Sequence, residues 1–401
     1  MSTQAQPLRL LTFTTLYPNA TAPNHGVFVE NRLRALLATG EATSLVLAPV
    51  PYFPSTHPRF GAYARLAAVP RAEKRFDIDI IHPRFLALPR ANMHVAPFLL
   101  YAAAAPAFAR LLRAGHRFDL IDAHYLYPDG VAATWLGRRF NLPVVLTARG
   151  SDVTELPNFA LPRALIGRAA SGADAIITVS AGLRAALAKL GISGEHVTVL
   201  RNGVDLQQFA PCDRDAARAE LGLSAPTLLA VGALIPRKGH ALTIAAMTRL
   251  PAWRLLIAGE GPEREDLAAL AARLGVADRV VFLGAWPHAD LARLYSAADI
   301  SVLASEREGW ANVLLESMAC GTPVIASPIP GNDEVVRDPA AGRIATDRTP
   351  EAIATAIRAL AASAPDRAAT RAYAANFGWD MVSQGQLDLF RRVLAIRRHE
   401  S

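Results

Sequence analysis

Eleven short apolar runs recur along the chain, and amphipathic stretches intervene between them. In the first half they are Leu8 to Phe13, Ser44 to Ala48, Leu120 to Asp122, Val144 to Thr147, Ala175 to Val179 and Val197 to Leu200. In the second half they are Thr227 to Val231, Arg254 to Ala258, Val280 to Leu283, Ile300 to Leu303 and Val324 to Ala326. Runs this short and this apolar suit strands buried on both faces, and strands that alternate with helical segments read as parallel sheets covered by helices. At 401 residues the chain exceeds one ordinary core and suits two domains of roughly 200 residues each. The expected fold is therefore α/β, with two doubly wound, Rossmann-like domains. The first spans residues 1–205 and the second 206–376, with the hinge near Asp205 to Pro226 and a late amphipathic helix from Phe377 to Arg397.

Composition fits such a protein, since 52% hydrophobic residues with 19% charged exclude disorder. Cys212 and Cys320 are the only cysteines, too few for a disulfide framework or a metal cluster, and a reducing cytoplasm is the expected compartment. The polar Met1 to Gln6 lead into a short strand without a basic, apolar leader, so export by that route is not expected. Residues 1–205 hold 21 Lys+Arg against 13 Asp+Glu, whereas the remainder is balanced at 21 against 22. That basic first half could attract anionic lipid headgroups or a pyrophosphate-linked acceptor; without a nucleic-acid module or aromatic-basic interleaving, no nucleic-acid partner is expected. Val95 to Leu112 is the most apolar segment, flanked by Arg84, Arg90, Arg113 and Arg117. Pro97, Pro106 and Arg110 argue against a spanning helix, leaving a core helix or one lying on the membrane surface. Pro49 to Pro70 reads as a long irregular loop.

Ser305 to Val324 is the stretch that speaks to chemistry. Glu308 stands on the loop after an apolar strand, Glu316 lies two turns along the following helix, and Gly321-Thr322-Pro323 stops that helix. Gly309 lets backbone approach a ligand, the opening helical turn favours phosphate, and Glu316 could accept from hydroxyls further along. A ligand with phosphate at one end and hydroxyls beside it, such as a nucleotide-sugar, fits that spacing. Lys238 is one of only three lysines, with Lys74 and Lys189, and its place before Gly239, just after a strand, suggests a point charge on a diphosphate.

The stretch resembles the E-x7-E region of retaining, nucleotide-sugar-dependent glycosyltransferases of family 4, which have the GT-B fold. The resemblance extends over Val231 to Gly239, Ala258 to Pro262, Val281 to Gly284, Arg201 to Asp205 with Phe209, and Gly331 to Glu334, in the family's order. It covers the C-terminal half closely. In the first half it rests on Gly26, Ala123-His124 and Thr147 to Asp152.

The resemblance implies two domains about a cleft, with residues 377–401 packing back on the first. It implies that Lys238 and the helix start hold the diphosphate, that Gly26 approaches it, and that the main chain of Phe282, Leu283 and Gly284 holds the base edge. It also puts Glu316 on the ribose, and Glu308 beside the donor sugar with Gly309, Trp310, Ala311, Asn312 and Val313. His124 would contact the sugar ring as donor or through its main chain. Arg149 and Asp152, on a loop at the carboxyl edge of the sheet, could read the acceptor or pair with each other. One departure stands out: the usual Gly-Arg-Leu is Gly232-Ala233-Leu234, so Arg237 is the candidate to share the diphosphate.

The reaction implied is retaining transfer of a hexosyl group from a nucleotide-sugar to an acceptor hydroxyl. No cofactor and no metal are expected; Asp77-Ile78-Asp79 has the spacing of a metal triplet but reads as solvated. Tyr17 to Glu30 and Asp122 to Gly130 resemble bacterial members that build cell-surface polysaccharide on lipid carriers. The expected acceptor is lipid-linked or saccharide, and the expected location is cytoplasmic, peripheral on the inner face of the membrane. A nucleotide-sugar epimerase or phosphorylase of the same fold, and a catalytically silent binding subunit, remain as alternatives.

Overall fold

Leucine, isoleucine and valine fill the apolar runs, and in the computed structural model these runs become the central strands of two sheets. The structure describes residues 6–86, 92–363 and 365–400. Met1 to Ala5 of the polar start, and Arg90 among the flanking arginines, lie outside them.

The chain divides into two compact units. The first holds residues up to Arg201 together with Asp380 onward, and the second runs from Asn202 to Trp379. The division thus falls at Arg201, ahead of the expected hinge, and Asn202 to Pro226 all belong to the second unit.

In the first unit the strands are β1 (Leu8–Phe13), β2 (Ala42–Leu47), β3 (Val50–Tyr52), β4 (Ala72–Arg75), β5 (Ile78–Ile81), β6 (Arg84–Leu86), β7 (Leu120–His124), β8 (Val144–Ala148), β9 (Ala175–Thr178) and β10 (Val197–Val199). Eight of them form one sheet in the order β10-β9-β8-β7-β1-β2-β5-β4, parallel except for β4, which runs antiparallel to β5. β3 and β6 pair separately. The stretch Pro49 to Pro70 is therefore not an irregular loop: it carries β3, a 3-10 turn Pro58–Phe60 and a helix Ala62–Ala68. Phe53 ties these pieces together through ring contacts of 5.2 Å with both Phe60 and Tyr63, which alternation counting does not register.

Helix Asn92–Arg113 contains the most apolar segment. By length and composition it could cross a membrane, but Leu100, Ala104 and Phe108, spaced four apart, are fully buried in the unit. Pro97 and Pro106 lie inside it without ending it. Helix Trp379–Glu400 packs Leu387, Leu389, Phe390 and Val393 into a core with Leu10, Leu120, Val145 and Ile177, each large apolar side chain contributing about 1.5–3 kcal/mol by burial.

The second unit has β11 (Thr227–Val231), β12 (Arg254–Ala258), β13 (Val280–Gly284), β14 (Ile300–Leu303), β15 (Val324–Ala326) and β16 (Gly342–Ile344) in the order β13-β12-β11-β14-β15-β16, all parallel. Strand order reverses between β11 and β14, and in the first unit between β1 and β7. Such switch points open a crevice at the carboxyl ends of the strands, which is where the candidate residues fall.

Candidate functional site

β11 and β14 are neighbours, so the loops leaving their carboxyl ends meet. From β11 the chain passes Gly232 and a 3-10 turn, Pro236–Lys238, and enters helix His240–Ala246 through Gly239. Gly239 has φ +70°, and a Cβ there would stand 2.1 Å from the carbonyl oxygen of Ala304, so only glycine lets the two loops touch. That contact sets Lys238 against the β14 loop. Its Nζ lies 2.6 Å from Oε1 of Glu308, and Ser305 Oγ donates to the same oxygen at 2.7 Å. Lys238 and Glu308 are 15% and 9% exposed at their side chains, a half-sheltered ion pair at a sheet switch point. The Glu306 N–H donates to the Arg237 carbonyl at 2.8 Å and locks the loops together. The Arg237 guanidinium makes no hydrogen bond or ion pair among the described residues, and Ala233, in the place of the Gly-Arg-Leu arginine, is exposed.

Glu316 sits in helix Asn312–Ala319, 7% exposed, with both carboxylate oxygens held. The Tyr295 hydroxyl donates to Oε2 at 3.0 Å, and His288 Nε2 lies 3.2 Å from Oε1. Gln208 Nε2 donates to His288 Nδ1 at 3.0 Å, so Nε2 carries the ring proton and donates to Glu316. The Phe209 ring meets His288 edge-on at 5.2 Å and fixes its plane. Before the helix, Trp310 is buried beside Phe377 and Ala311 is buried as well. The amides of Asn312 and Leu314 donate to the carbonyls of Trp310 and Ala311, each at 3.1 Å, so part of the opening turn is already satisfied. Asn312 Oδ1 accepts from Asn202 at 3.2 Å, while Gly309 and Val313 are partly exposed.

Phe282, Leu283 and Gly284 close β13, the edge of the second sheet, so half of its main-chain groups lie off the ladder. Gly284 is anchored by its carbonyl, which accepts from the Gly259 N–H at 2.8 Å, and Arg264 lies 3.9 Å over the Phe282 ring.

In the first unit, Gly26 caps helix Val27–Ala38 at φ +69°, and a Cβ there would meet the Leu16 backbone at 2.4 Å. The loop ahead of it is held by Asp129, which accepts from the Thr15 amide and, at 3.1 Å, from the Thr15 hydroxyl. Burial pushes the Asp129 carboxyl up to about 7.

His124 is 1% exposed and both ring nitrogens face protein. Arg149 Nη2 donates to Nδ1 at 2.7 Å, which leaves the proton on Nε2, 3.4 Å from Asp122 Oδ2. The chain of contacts continues through Gln386 to Asp122 at 3.1 Å and Arg32 to Gln386 at 2.8 Å. Burial pushes the His124 imidazole down to about 4, Asp122 opposing and Arg149 adding to it. In this arrangement both ring nitrogens are therefore turned to protein partners, Nδ1 to Arg149 and Nε2 to Asp122. Arg149 and Asp152 do not form an ion pair with each other's side chains. Asp152 accepts from the amides of Leu126 at 2.8 Å, Gly150 at 2.7 Å and Arg149 itself at 3.1 Å, and so organises the loop.

The structure thus brings together Lys238 with Glu308, and His124 with Arg149. Ser305, Tyr295, His288, Gln208 and Asp129 escape sequence reasoning, because none carries a local pattern and their partners lie far along the chain or on another loop. Among the described residues no group of three or more His, Cys, Asp or Glu could hold a metal ion. Cys212 is exposed and Cys320 buried, both free, and burial pushes the Cys320 thiol up to about 12.

The chain is similar to known proteins over both units. Residues 213–377 match the profile of glycosyl transferases group 1, and residues 83–208 that of Glycosyltransferase Family 4. D-inositol 3-phosphate glycosyltransferase of Segniliparus rotundus is 39% identical over 215 residues, 50% of this chain and 48% of that protein. The enzyme of the same name from Mycobacterium bovis is 33% identical over 303 residues, 69% of this chain and 62% of that protein. The chain therefore spans between about half and somewhat under two thirds of these relatives' length. Among solved structures, sucrose-phosphate synthase from Thermosynechococcus elongatus superposes with a TM-score of 0.77 at 25% identity, covering 98% of this chain and all of that one. HepE of Anabaena, in complex with UDP and glucose, has a TM-score of 0.73 at 21% identity over 96% of this chain and 99% of that one, a likeness of fold. The chain belongs to family 4 of the glycosyltransferases, with the GT-B fold.

Proposed function

We propose that the protein is a retaining glycosyltransferase that moves a hexosyl group from a nucleotide-sugar to an acceptor hydroxyl, in the synthesis of a cell-surface polysaccharide or glycolipid. The observation that carries this reading is the Lys238–Glu308 pair at the second unit's switch point, with Glu316 held by two donors one helix turn-pair away. The bond between the sugar's anomeric carbon and the diphosphate breaks as the acceptor oxygen bonds on the same face. Negative charge grows on the leaving diphosphate and positive charge on the sugar. The remaining N–H donors of Lys238 stabilise the first, and the Glu308 carboxylate faces the second. Arg237, whose guanidinium is uncommitted within the described residues, takes the place of the arginine absent at Ala233. The acceptor's proton passes to the departing phosphate, so the reading needs no separate base, cofactor or metal. Glu316 accepts from the ribose and the β13 main chain meets the base. Gly26 stands by the diphosphate, and His124 acts by its place in the loop framework with Arg149 and Asp152 on the acceptor side.

The acceptor in this reading is lipid-linked or saccharide, and the enzyme works in the cytoplasm against the inner face of a membrane. Support comes from the basic first half; the relatives named above are glycosyltransferases of D-inositol 3-phosphate and bear only on the class of reaction. The test is calorimetric titration of UDP-, GDP- and ADP-sugars into the wild type and Glu316→Ala, followed by nucleoside diphosphate release and anomeric analysis of the product. One nucleotide binding tightly, weakened in the variant, with the anomeric configuration kept in the product, is expected. Binding to none of them would end the transferase reading; an epimer formed without acceptor would move it to an epimerase.

A further inference from the structure

Three helices of the first unit, Asn92–Arg113, Val131–Phe140 and Ala160–Gly172, pack against one another. They carry six arginines, Arg110, Arg113, Arg138, Arg139, Arg163 and Arg168, and no Asp or Glu. With 35 acidic residues in 401, about four would fall in these 45 positions by chance, so the three helices are depleted of acids as well as basic.

Between the second and third helices lies a groove of about 510 Å³, lined in part by Val131, Trp135, Arg138, Leu165 and Arg168. No carboxylate lines it. The guanidinium groups of Arg138 and Arg168 make no hydrogen bond or ion pair among the described residues, and that of Arg138 lies over Gly172, 2.7 Å from where a Cβ would stand. Trp135, in the groove wall, is met by Phe98 at 4.9 Å and edge-on by Tyr101 at 5.8 Å. Phe98 is 51% exposed although aromatic, and it belongs to a solvent-facing stripe of the first helix, His94, Phe98, Ala102, Pro106 and Arg110, spaced four apart. Met93, Phe159 and Leu161 are exposed as well.

We propose that this groove and the exposed aromatic face beside it form a second binding site, separate from the Lys238–Glu308 site, for the phosphate headgroups of an anionic lipid surface. Two uncommitted guanidinium groups without a competing carboxylate match phosphate, and Phe98 with Met93 enters the interfacial layer. A soluble anion would use the arginines but leave the exposed Phe98 and Met93 without a role. The inference deepens the membrane-surface part of the function proposed above and rests on that reading for its setting, while its test does not require turnover.

The test is flotation of the full chain with vesicles of phosphatidylglycerol and phosphatidylcholine, against phosphatidylcholine alone, at low and high salt. The wild type is expected on the anionic vesicles at low salt. Arg138→Ala/Arg168→Ala lowers that partition about 25-fold, at about fivefold per arginine, and Phe98→Ser about tenfold. Thermal melting checks that each variant is folded, and Arg168→Ala alone, at an exposed position, serves if the double variant is not. Equal binding to both vesicle types, variants that float as the wild type does, or complete displacement by inorganic phosphate would each overturn the lipid site. Nucleotide-sugar titration of the same proteins is read separately: failure there removes the transferase reading and leaves the vesicle result standing.

Discussion

Nζ of Lys238 and Oε1 of Glu308 lie 2.6 Å apart although 70 residues separate them, because β11 and β14 are adjacent and Gly239 lets their loops touch. Each residue orients the other, so they act as one unit. Lys238→Met is expected to lower kcat/KM by about 10²–10³, the usual cost of one lost charge-stabilising donor. Glu308→Gln should fall in the same range. The double variant should be scarcely worse than the poorer single one, since each change already dissolves the pair. Nucleoside diphosphate release from the four proteins decides this, and losses that multiply would show two independent roles.

Glu316 is aimed by two donors on different elements, Tyr295 from one helix and His288 from the turn before it. A hydrogen bond to a charged group is worth about 1.5–3 kcal/mol, so Tyr295→Phe or His288→Ala should weaken nucleotide affinity about tenfold or more. Gln208→Ala should act in the same direction and less strongly, because it frees His288 only to turn. Glu316→Gln sets an NH₂ group against one of the two donors and should cost more than either. Calorimetric dissociation constants for the bound nucleoside diphosphate are the measurement. Unchanged affinity in Tyr295→Phe would mean that Glu316 needs no aiming.

The central strands were legible because a strand buried on both faces must be apolar throughout: Leu8–Phe13, Thr227–Val231 and Arg254–Ala258 run where the apolar runs place them. β4, with the sequence Ala-Glu-Lys-Arg, and β16, which contains Arg343, were not legible, since an edge strand owes its place to the neighbour it pairs with. β3 and β6 are three residues each, below any periodicity. Glu308, Lys238 and Glu316 could be picked out because each follows a strand or helix start at a fixed offset. Their partners could not, because Ser305, Tyr295 and His288 are ordinary residues whose meaning lies in which loops the sheet order juxtaposes. For His124 the place at a strand end was legible, whereas its contact with Arg149, 25 residues later, depends on β7 and β8 being neighbours.

Gly239 supports a stability prediction. Ala at φ +70° costs about 1–2 kcal/mol, and its Cβ would press on the Ala304 carbonyl, which adds about 1–3 kcal/mol of overpacking. Gly239→Ala should therefore lower the unfolding midpoint in urea and, by parting the loops, carry Lys238 away from Glu308 and reduce turnover as well. Gly191→Ala provides the control, having positive φ but open space around it. If the two variants lose the same stability, close approach at Gly239 counts for nothing.

Asp129 and His124 make opposite pH dependences in the same unit. Burial raises the Asp129 carboxyl to about 7 in the folded state, against about 3.9 unfolded. Its contribution is thus full below about pH 4 and is lost as pH rises through about 7. Burial lowers His124 to about 4 against about 6.5 unfolded, so its contribution is full above about 6.5 and is lost as pH falls toward about 4. Between about pH 4 and 6.5 the two slopes offset each other, and above that range only Asp129 still weakens the fold. Asp129→Asn keeps an oxygen for the Thr15 amide and removes the charge. At about pH 8 the variant should be more stable than the wild type, by up to about 4 kcal/mol for three units of pKa. On acidification it should lose stability more steeply than the wild type, because the His124 slope is no longer offset. Urea midpoints of both proteins across that range test this, and a variant weaker than the wild type at about pH 8 would show that the Thr15 contacts, rather than the buried charge, set the balance.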